Sequence, residues 1–230
     1  MSILTLPDEL LLLIGQDLSI RDLFHFLLTC YRLWSLFEPC LHELGVQNIG
    51  ELTALQWAAE RGKATLAKLA ISRGADVSEP NQLLFGRTPL NSAALCGDPA
   101  VIEILVEHGA KVNARYYQTP LHLAVVSGNV EAIKVLLNLG SDALAIDTLG
   151  DTPAHSSYVS LGSLKVLIDA GFDISTKGSG GRTVLHHAAS RQKEILEYLL
   201  EQPEGYMAIN TQDSDGKTPL HLASTVENVR

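Results

Sequence analysis

The chain has 230 residues, a net charge of −9 at neutral pH and three cysteines. That length is enough for one or two domains with a substantial buried core. The negative charge and the lack of a Lys/Arg block argue against a protein that binds nucleic acid or an anionic membrane through its charge, so neither is an expected partner. Three scattered cysteines do not make a disulfide framework, which favours a reducing compartment, cytoplasmic or nuclear.

Neither a membrane span nor a secretory signal is predicted. The longest apolar run, Leu10 to Ile14, is far shorter than the roughly 20 residues that a spanning helix needs. The acids Asp8 and Glu9 precede it, whereas a signal peptide places basic residues there.

Residues 1–45 are predicted to form three short helices. Pro7 suits the first turn of a helix, and Asp8 and Glu9 follow it where the helix dipole favours acids. Ser19 and Asp22 resemble a capping box that opens a second helix. Three helices in about forty residues make a marginal core, which indicates that they need a partner.

This segment resembles an F-box. The pattern is a Leu-Pro start, an acid, a Leu/Ile-rich helix, a Leu-Ser stop, an Asp-Leu restart and a Cys-Arg-x-Trp-like end, and Tyr31 departs from it. The matching residues are Leu6-Pro7, Glu9, Leu10 to Ile14, Leu18-Ser19, Asp22-Leu23 and Cys30 to Trp34. The resemblance implies docking to the Skp-type linker of cullin ubiquitin ligases, while the rest of the chain captures a substrate. The side chains expected to dock the linker are Leu6, Pro7, Leu10, Leu11, Ile14, Leu18 and Leu23.

An alternative role for these helices is to cap the remainder of the chain. Terminal repeats of a helical array need a polar-faced cap to stay soluble. The joint from residue 46 to 52 is too short to act as a flexible tether. The two roles do not exclude each other.

Six copies of one pattern begin after residue 50. Each copy opens on a threonine, and successive starts lie 31 to 35 residues apart. A period near 33 residues is typical of a helical repeat array. The six threonines are Thr53, Thr88, Thr119, Thr152, Thr183 and Thr218.

The third copy shows the physical logic of the repeat. Thr119-Pro120 opens a helix as an N-cap followed by a first-turn proline. Leu121, Ala124 and Val125 form one apolar stripe, and Gly128 ends the helix as a left-handed cap. A second helix repeats that spacing at Ile133, Leu136 and Leu137, and Gly140 ends it. Neither helix is long enough to be stable alone, so each must pack against neighbours.

The motif Thr-Pro-Leu-His-x-Ala at Thr119 and Thr218, with glycines in matching phase at Gly62, Gly97 and Gly128, resembles the ankyrin repeat. The resemblance covers residues 51–230. It implies an all-α fold, in which the F-box-like segment is followed by a solenoid of about five to six repeats. An F-box followed directly by ankyrin repeats resembles an arrangement common in filamentous fungi.

The later copies are predicted to be degraded. Ser156 and Ser157 replace core residues in the fourth copy, and Gln192 replaces a glycine in the fifth. Pro203-Glu204-Gly205 interrupts the end of the fifth copy. The sixth copy stops at Arg230 before a second helix, which predicts an unpaired apolar face.

The repeated histidines are predicted to be structural. They share one repeat phase, and packed helices lie about 8–10 Å apart, whereas zinc ligands lie near 2 Å from one ion. No nucleophile elbow, phosphate-binding loop or paired-carboxylate pattern occurs either. We therefore expect no enzyme, no cofactor and no metal site. These histidines are His122, His155, His186 and His221.

The expected partner of the array is an unknown protein. In ankyrin arrays, by resemblance, partners lie against the turn tips and the exposed ends of the first helices. Apolar and aromatic residues at such places often mark an interface. The alternative is that the aromatic side chains fold back onto their own loops. The candidate residues are Leu84, Phe85, Leu95, Tyr116, Tyr117 and Val126.

The sequence leaves two functions open. In the first, the chain is the non-catalytic substrate-recognition adaptor of a Skp-cullin-F-box ubiquitin ligase. In the second, it is an interaction scaffold whose first helices only cap the repeats, with no ligase involved.

Overall fold

The computed structural model describes residues 54–81, 86–96, 98–156 and 159–227. Within these ranges the protein is all-helical, and the only strand-like feature is an isolated antiparallel bridge between Asn81 and Arg87. The eleven α-helices are α1 Ala54–Glu60, α2 Ala64–Ser72, α3 Pro89–Cys96, α4 Pro99–Glu107, α5 Pro120–Ser127, α6 Val130–Asn138, α7 Leu161–Asp169, α8 Val184–Arg191, α9 Lys193–Glu201, α10 Pro203–Ala208 and α11 Pro219–Glu227. The segment predicted to resemble an F-box, residues 1–45, lies outside the described residues.

Local sequence fixes where the helices of the third repeat begin and end. Thr119 and His122 form a reciprocal cap at the start of α5, and Gly128 ends it with φ 73°, a left-handed conformation that favours glycine. The side chain of Asn129 then accepts a hydrogen bond from the backbone N–H of Ala132, which starts α6. These boundaries agree with the sequence prediction.

The helices form two rows that share one core. In the first row α1 packs on α3 and α3 on α5, while in the second row α2 packs on α4 and α4 on α6. One continuous cluster of buried apolar side chains runs from the first described repeat to the fifth. Leu121, Ile133 and Leu136 are fully buried in it, as their spacing predicted. Stacking therefore supplies the burial that no single helix pair has alone.

The fourth repeat departs from the others. Its first helix is reduced to one 3-10 turn, Pro153–His155, before α7 begins. In the next repeat Gln192 replaces the glycine between α8 and α9, and its side-chain amide donates to the backbone oxygen of Val159. The prediction that the fourth copy is degraded is confirmed.

The end of the described array leaves apolar surface open. The Pro-Glu-Gly interruption forms the short helix Pro203–Ala208. On α11, which packs against α8, Leu220 is 75% exposed. Leu222 and Ala223, which were predicted to share its unpaired face, are half-buried.

Candidate functional site

The repeated histidines join each repeat to the next. In the third repeat, Nδ1 of His122 lies 2.8 Å from Oγ1 of Thr119, and Nε2 lies 2.9 Å from the backbone oxygen of Asp151. The backbone N–H of Thr119 also donates to Nδ1, so Nε2 carries the proton and donates to Asp151. His155 and His186 make the equivalent pair of contacts. For these three histidines the contacts agree with the predicted structural role.

Asn91 occupies the histidine position of the second repeat. Oγ1 of Thr88 donates to Oδ1 of Asn91 at 2.9 Å, and Nδ2 of Asn91 donates to the backbone oxygen of Gln118 at 3.3 Å. The amide thus bonds the same two kinds of group as the imidazole does. Sequence reasoning missed this residue, although its position three residues after Thr88 is the signal that could have found it.

A second histidine contact lies at the shortened fourth repeat. The rings of His155 and His187 meet edge to face with their centroids 5.8 Å apart. Nε2 of His187 is buried and has no hydrogen-bond partner in the described part of the chain. Burial, and then the neighbouring charge of His155, lowers the pKa of His187. Burial also lowers the pKa of His122 and of His155.

These lowered pKa values predict that the array loses stability in mild acid. A histidine whose folded-state pKa lies below its ordinary 6.5 binds fewer protons folded than unfolded, so stability falls as the pH drops through 6.5. Each unit of lowering corresponds to about 1.4 kcal/mol. Urea unfolding at about pH 7.5 and about pH 5.5 should show a lower midpoint in acid, and His187→Gln should reduce the difference. Equal midpoints would contradict this expectation.

The described residues hold no group of three potential metal ligands within reach of one ion. No helix in those same ranges is long and apolar enough to cross a membrane. The features that remain are on the surface.

Exposed apolar side chains concentrate on two neighbouring turns. We call these the 110–118 turn and the 141–151 turn, which connect the second repeat to the third and the third to the fourth. Large apolar side chains are exposed at eight described positions, and five of them lie on these two turns: Tyr116, Tyr117, Leu144, Ile146 and Leu149. The last three were not predicted, because residues 141–151 read as a polar connection with a tight turn at Asp147 and Gly150.

Hydrogen bonds fix the two turns to each other. The backbone N–H of Thr148 donates to the oxygen of Tyr117 at 3.0 Å, and Nη1 of Arg115 donates to the oxygen of Ile146 at 3.0 Å. Inside the 141–151 turn, Oδ1 of Asp147 accepts the N–H groups of Leu149 and Asp151. The exposed side chains are therefore presented by an ordered backbone.

Both predicted tyrosines are about half exposed, and Tyr116 also packs on the preceding turn. A Cβ added to Gly86, which has φ 72°, would lie 2.4 Å from the ring of Tyr116, so that ring packs against the preceding turn. The two tyrosine rings meet edge to face, 5.2 Å between centroids. Even so, Tyr116 is 49% and Tyr117 is 55% exposed. Tyr116 thus combines packing on a neighbouring turn with exposure.

The remaining predicted residues are spread more widely. Leu95, near the end of α3, and Val126, near the end of α5, are half-buried, and Leu95 packs partly on the core. Leu84 and Phe85 lie outside the described residues. So do the seven side chains expected to dock the linker: Leu6, Pro7, Leu10, Leu11, Ile14, Leu18 and Leu23.

A groove adjoins the two tyrosines. It has a volume of about 430 Å³ and lies between the 110–118 turn and the first helices of the second and third repeats. Its surface is mostly apolar, although several of the side chains that line it carry polar groups; they are Arg87, Asn91, Tyr116, Tyr117, Gln118 and Leu123. A groove of this size has room for one large side chain.

The protein is a solenoid of stacked helix pairs, with buried histidines between repeats and exposed apolar side chains on the turns. These features place it in the class of helical repeat arrays. Family models assign the particular repeat. The model for ankyrin repeats in three copies matches residues 19–116 and 156–229, and the model for a single ankyrin repeat matches residues 116–145. The chain belongs to the ankyrin-repeat family. Ankyrin repeats form protein–protein interaction modules, and this chain carries one.

Relatives agree with this assignment. The chain is 32% identical over 146 residues to the chicken nuclear factor NF-kappa-B p105 subunit, covering 60% of this chain and 15% of that protein. It is 28% identical over 197 residues to mouse NF-kappa-B inhibitor zeta, covering 81% and 26%. It is 33% identical over 127 residues to a putative ankyrin repeat protein of fowlpox virus, covering 52% and 23%. The chain thus spans about a quarter or less of the length of these relatives.

Proposed function

We propose that this chain is a non-catalytic adaptor whose ankyrin repeats hold a protein while its first residues dock another. The observation that carries the first half is the exposed apolar surface on two ordered neighbouring turns of an interaction module. The second half rests on the F-box-like pattern that begins at Leu6-Pro7. The adaptor would link a protein substrate to the Skp-type linker of a cullin ubiquitin ligase, in the cytoplasm or the nucleus.

The chemistry of the described residues supports a non-catalytic role. The imidazoles that could act as bases form hydrogen bonds with backbone oxygens of the following segment, as His122 does with Asp151. His187, whose Nε2 has no partner in the described ranges, is buried against His155. A general base must reach the proton that it removes, and these groups do not face the groove.

The first residues have a competing interpretation. The match to ankyrin repeats begins at residue 19, inside the segment that resembles an F-box. Residues 19–45 therefore have two interpretations. They are either a degenerate first repeat that caps the array or part of the F-box-like helices. In the capping alternative the chain is an interaction scaffold and binds no ligase.

Linker binding separates these two interpretations. We expect the full chain to bind a purified Skp-type linker, and the double substitution Leu6→Ala with Pro7→Ala to abolish that binding. Buried anchors of an interface typically contribute about 2 kcal/mol or more each, and two such losses weaken binding by about a thousandfold. Isothermal titration calorimetry with the purified linker measures the effect directly.

The control is a substitution on the array. Tyr117→Ala should leave linker affinity unchanged, because that side chain lies on a turn in the middle of the repeats. Circular dichroism should show the same helical content for all three proteins. A wild-type chain that does not bind the linker, with its repeats folded, would leave the scaffold as the function.

A second candidate partner comes from the relatives. Two of them are named for NF-kappa-B, one as a subunit and one as an inhibitor, and the second match covers 81% of this chain. In this case the array would hold an NF-kappa-B protein. A purified NF-kappa-B dimer that binds the full chain, and loses affinity on Tyr117→Ala, would support it. Absence of binding would leave the partner outside that class.

A further inference from the structure

The 110–118 turn is basic within an acidic protein. It carries Lys111 and Arg115 and no Asp or Glu, whereas the whole chain has a net charge of −9. Arg87 adds a third cation from the preceding turn and lines the groove. Among the residues that line the groove Arg87 is the charged one, and the turn that carries it also contains Asp76 and Glu79.

The acids nearest to these cations are already engaged. In the 141–151 turn, the carboxylate of Asp142 accepts the N–H of Leu144, and that of Asp147 accepts two backbone N–H groups. The carboxylate of Asp151 accepts the N–H of Ser179 at 2.7 Å. These carboxylates keep their charges while they bond the turns, and none of the ion pairs in the described ranges joins them to Arg87 or Arg115.

Neither arginine pairs with a carboxylate in the described part of the chain. The ion pairs found there join Lys134 to Glu131, Arg182 to Asp213, and Lys193 to Glu197. Arg115 donates to a backbone oxygen of the neighbouring turn, which holds its side chain in place and leaves its guanidinium outside any ion pair of these ranges. A carboxylate brought by a partner would complete both positions.

The apolar surface extends from the groove to the next turn. Tyr117 borders the groove, and its backbone oxygen bonds Thr148, so the two turns are adjacent. Leu149, next to Thr148, is 73% exposed. Packed helices of neighbouring repeats lie about 8–10 Å apart, a distance that about three residues of extended chain span.

We propose that this surface binds an extended, acidic segment of the partner protein, with one large apolar side chain in the groove, a second about three residues away over Leu149, and carboxylates beside Arg87 and Arg115. The inference rests on the proposed function only in that the array binds a protein. It adds the chemical class of the partner. A second copy of this chain is a poor occupant, because its own apolar turns carry the same cations.

Selection from a random peptide library tests this directly. The purified full chain is used to select phage-displayed peptides of about 12 residues. We expect enrichment of peptides with Asp or Glu beside a large apolar residue, and a second apolar residue about three positions along. A synthetic copy of an enriched peptide should then bind more weakly as salt is raised, because exposed charges are screened.

Matched variants locate the binding site. Arg87→Glu and Leu149→Asp should each weaken the synthetic peptide about tenfold or more, since one reverses the charge at the groove and the other makes the apolar turn polar. Lys68→Glu makes a similar change of charge on the exposed side of α2 and should have no effect. Unchanged circular dichroism of each variant excludes unfolding as the cause.

Several results would overturn the proposal. They are enrichment without acids, no enrichment at all, equal binding by Arg87→Glu, self-association of the chain in sedimentation, or binding of a fluorescent single-stranded oligonucleotide at the same residues. Enriched peptides without acids that still lose affinity on Leu149→Asp would show that the partner is apolar and that the acidic class proposed here is wrong. The array would then remain a protein-binding module, and titration with the linker reports separately on the adaptor role.

Discussion

Leu136→Ala is expected to lower the free energy of unfolding by about 2–5 kcal/mol. The side chain is fully buried in α6, within the core that joins the third repeat to its neighbours. Its removal costs the transfer free energy of the lost methyl groups and leaves a cavity between stacked helices. Because natural domains are stable by only about 5–15 kcal/mol, this loss would take a large share of the total.

Leu149→Ala provides the matched control. It makes the same chemical change on the 141–151 turn, where the side chain is 73% exposed, so stability should change by less than about 0.5 kcal/mol. Urea unfolding followed by circular dichroism measures both variants. Equal effects of the two substitutions would show that Leu136 is not in the core.

His122→Ala is expected to cost about 2–4 kcal/mol. The substitution removes the contacts of Nδ1 with Thr119 and of Nε2 with the backbone oxygen of Asp151. A hydrogen bond typically contributes about 1 kcal/mol, and each buried partner left unsatisfied adds about 1–3 kcal/mol. Because the imidazole connects two repeats, the substitution should destabilise both repeats together.

His221→Ala is the corresponding change in the last described repeat. His221 contacts Thr218 through Nδ1, but it is exposed and no described turn accepts from its Nε2. We expect a loss of about 1 kcal/mol or less, the contribution of a cap alone. If His122→Ala is no more costly than His221→Ala, then the contact with the following repeat contributes nothing to stability.

The positions of the helices could be predicted because each is encoded locally. Thr119 and Pro120 mark the start of a helix and Gly128 marks its end, because capping is a local interaction. The shortened first helix of the fourth repeat was harder to predict. Its Thr152-Pro153 start is intact, yet only one 3-10 turn follows it, so the start signal does not decide the outcome, which depends on tertiary packing. Propensity does not report packing of that kind.

The candidate site was predictable only in part, for a similar reason. Tyr116 and Tyr117 are conspicuous because two aromatic residues rarely occupy a turn without a reason. Leu144 and Ile146 stand in a connection that was predicted to be polar, and both apolar side chains are exposed on it. Their exposure follows from the direction of the turn, which hydrogen bonds to the preceding turn determine. Contacts between repeats do not appear in the spacing of any one repeat.

The direction of the histidine contacts has a consequence for synthesis on the ribosome. The partner oxygen of His122 belongs to Asp151, 29 residues later, and that of His186 belongs to Lys217, 31 residues later. At about 5–20 residues per second, each imidazole waits a few seconds before its acceptor has been translated. A nascent repeat is therefore completed only by the one made after it, and the most recently made unit is always the least finished.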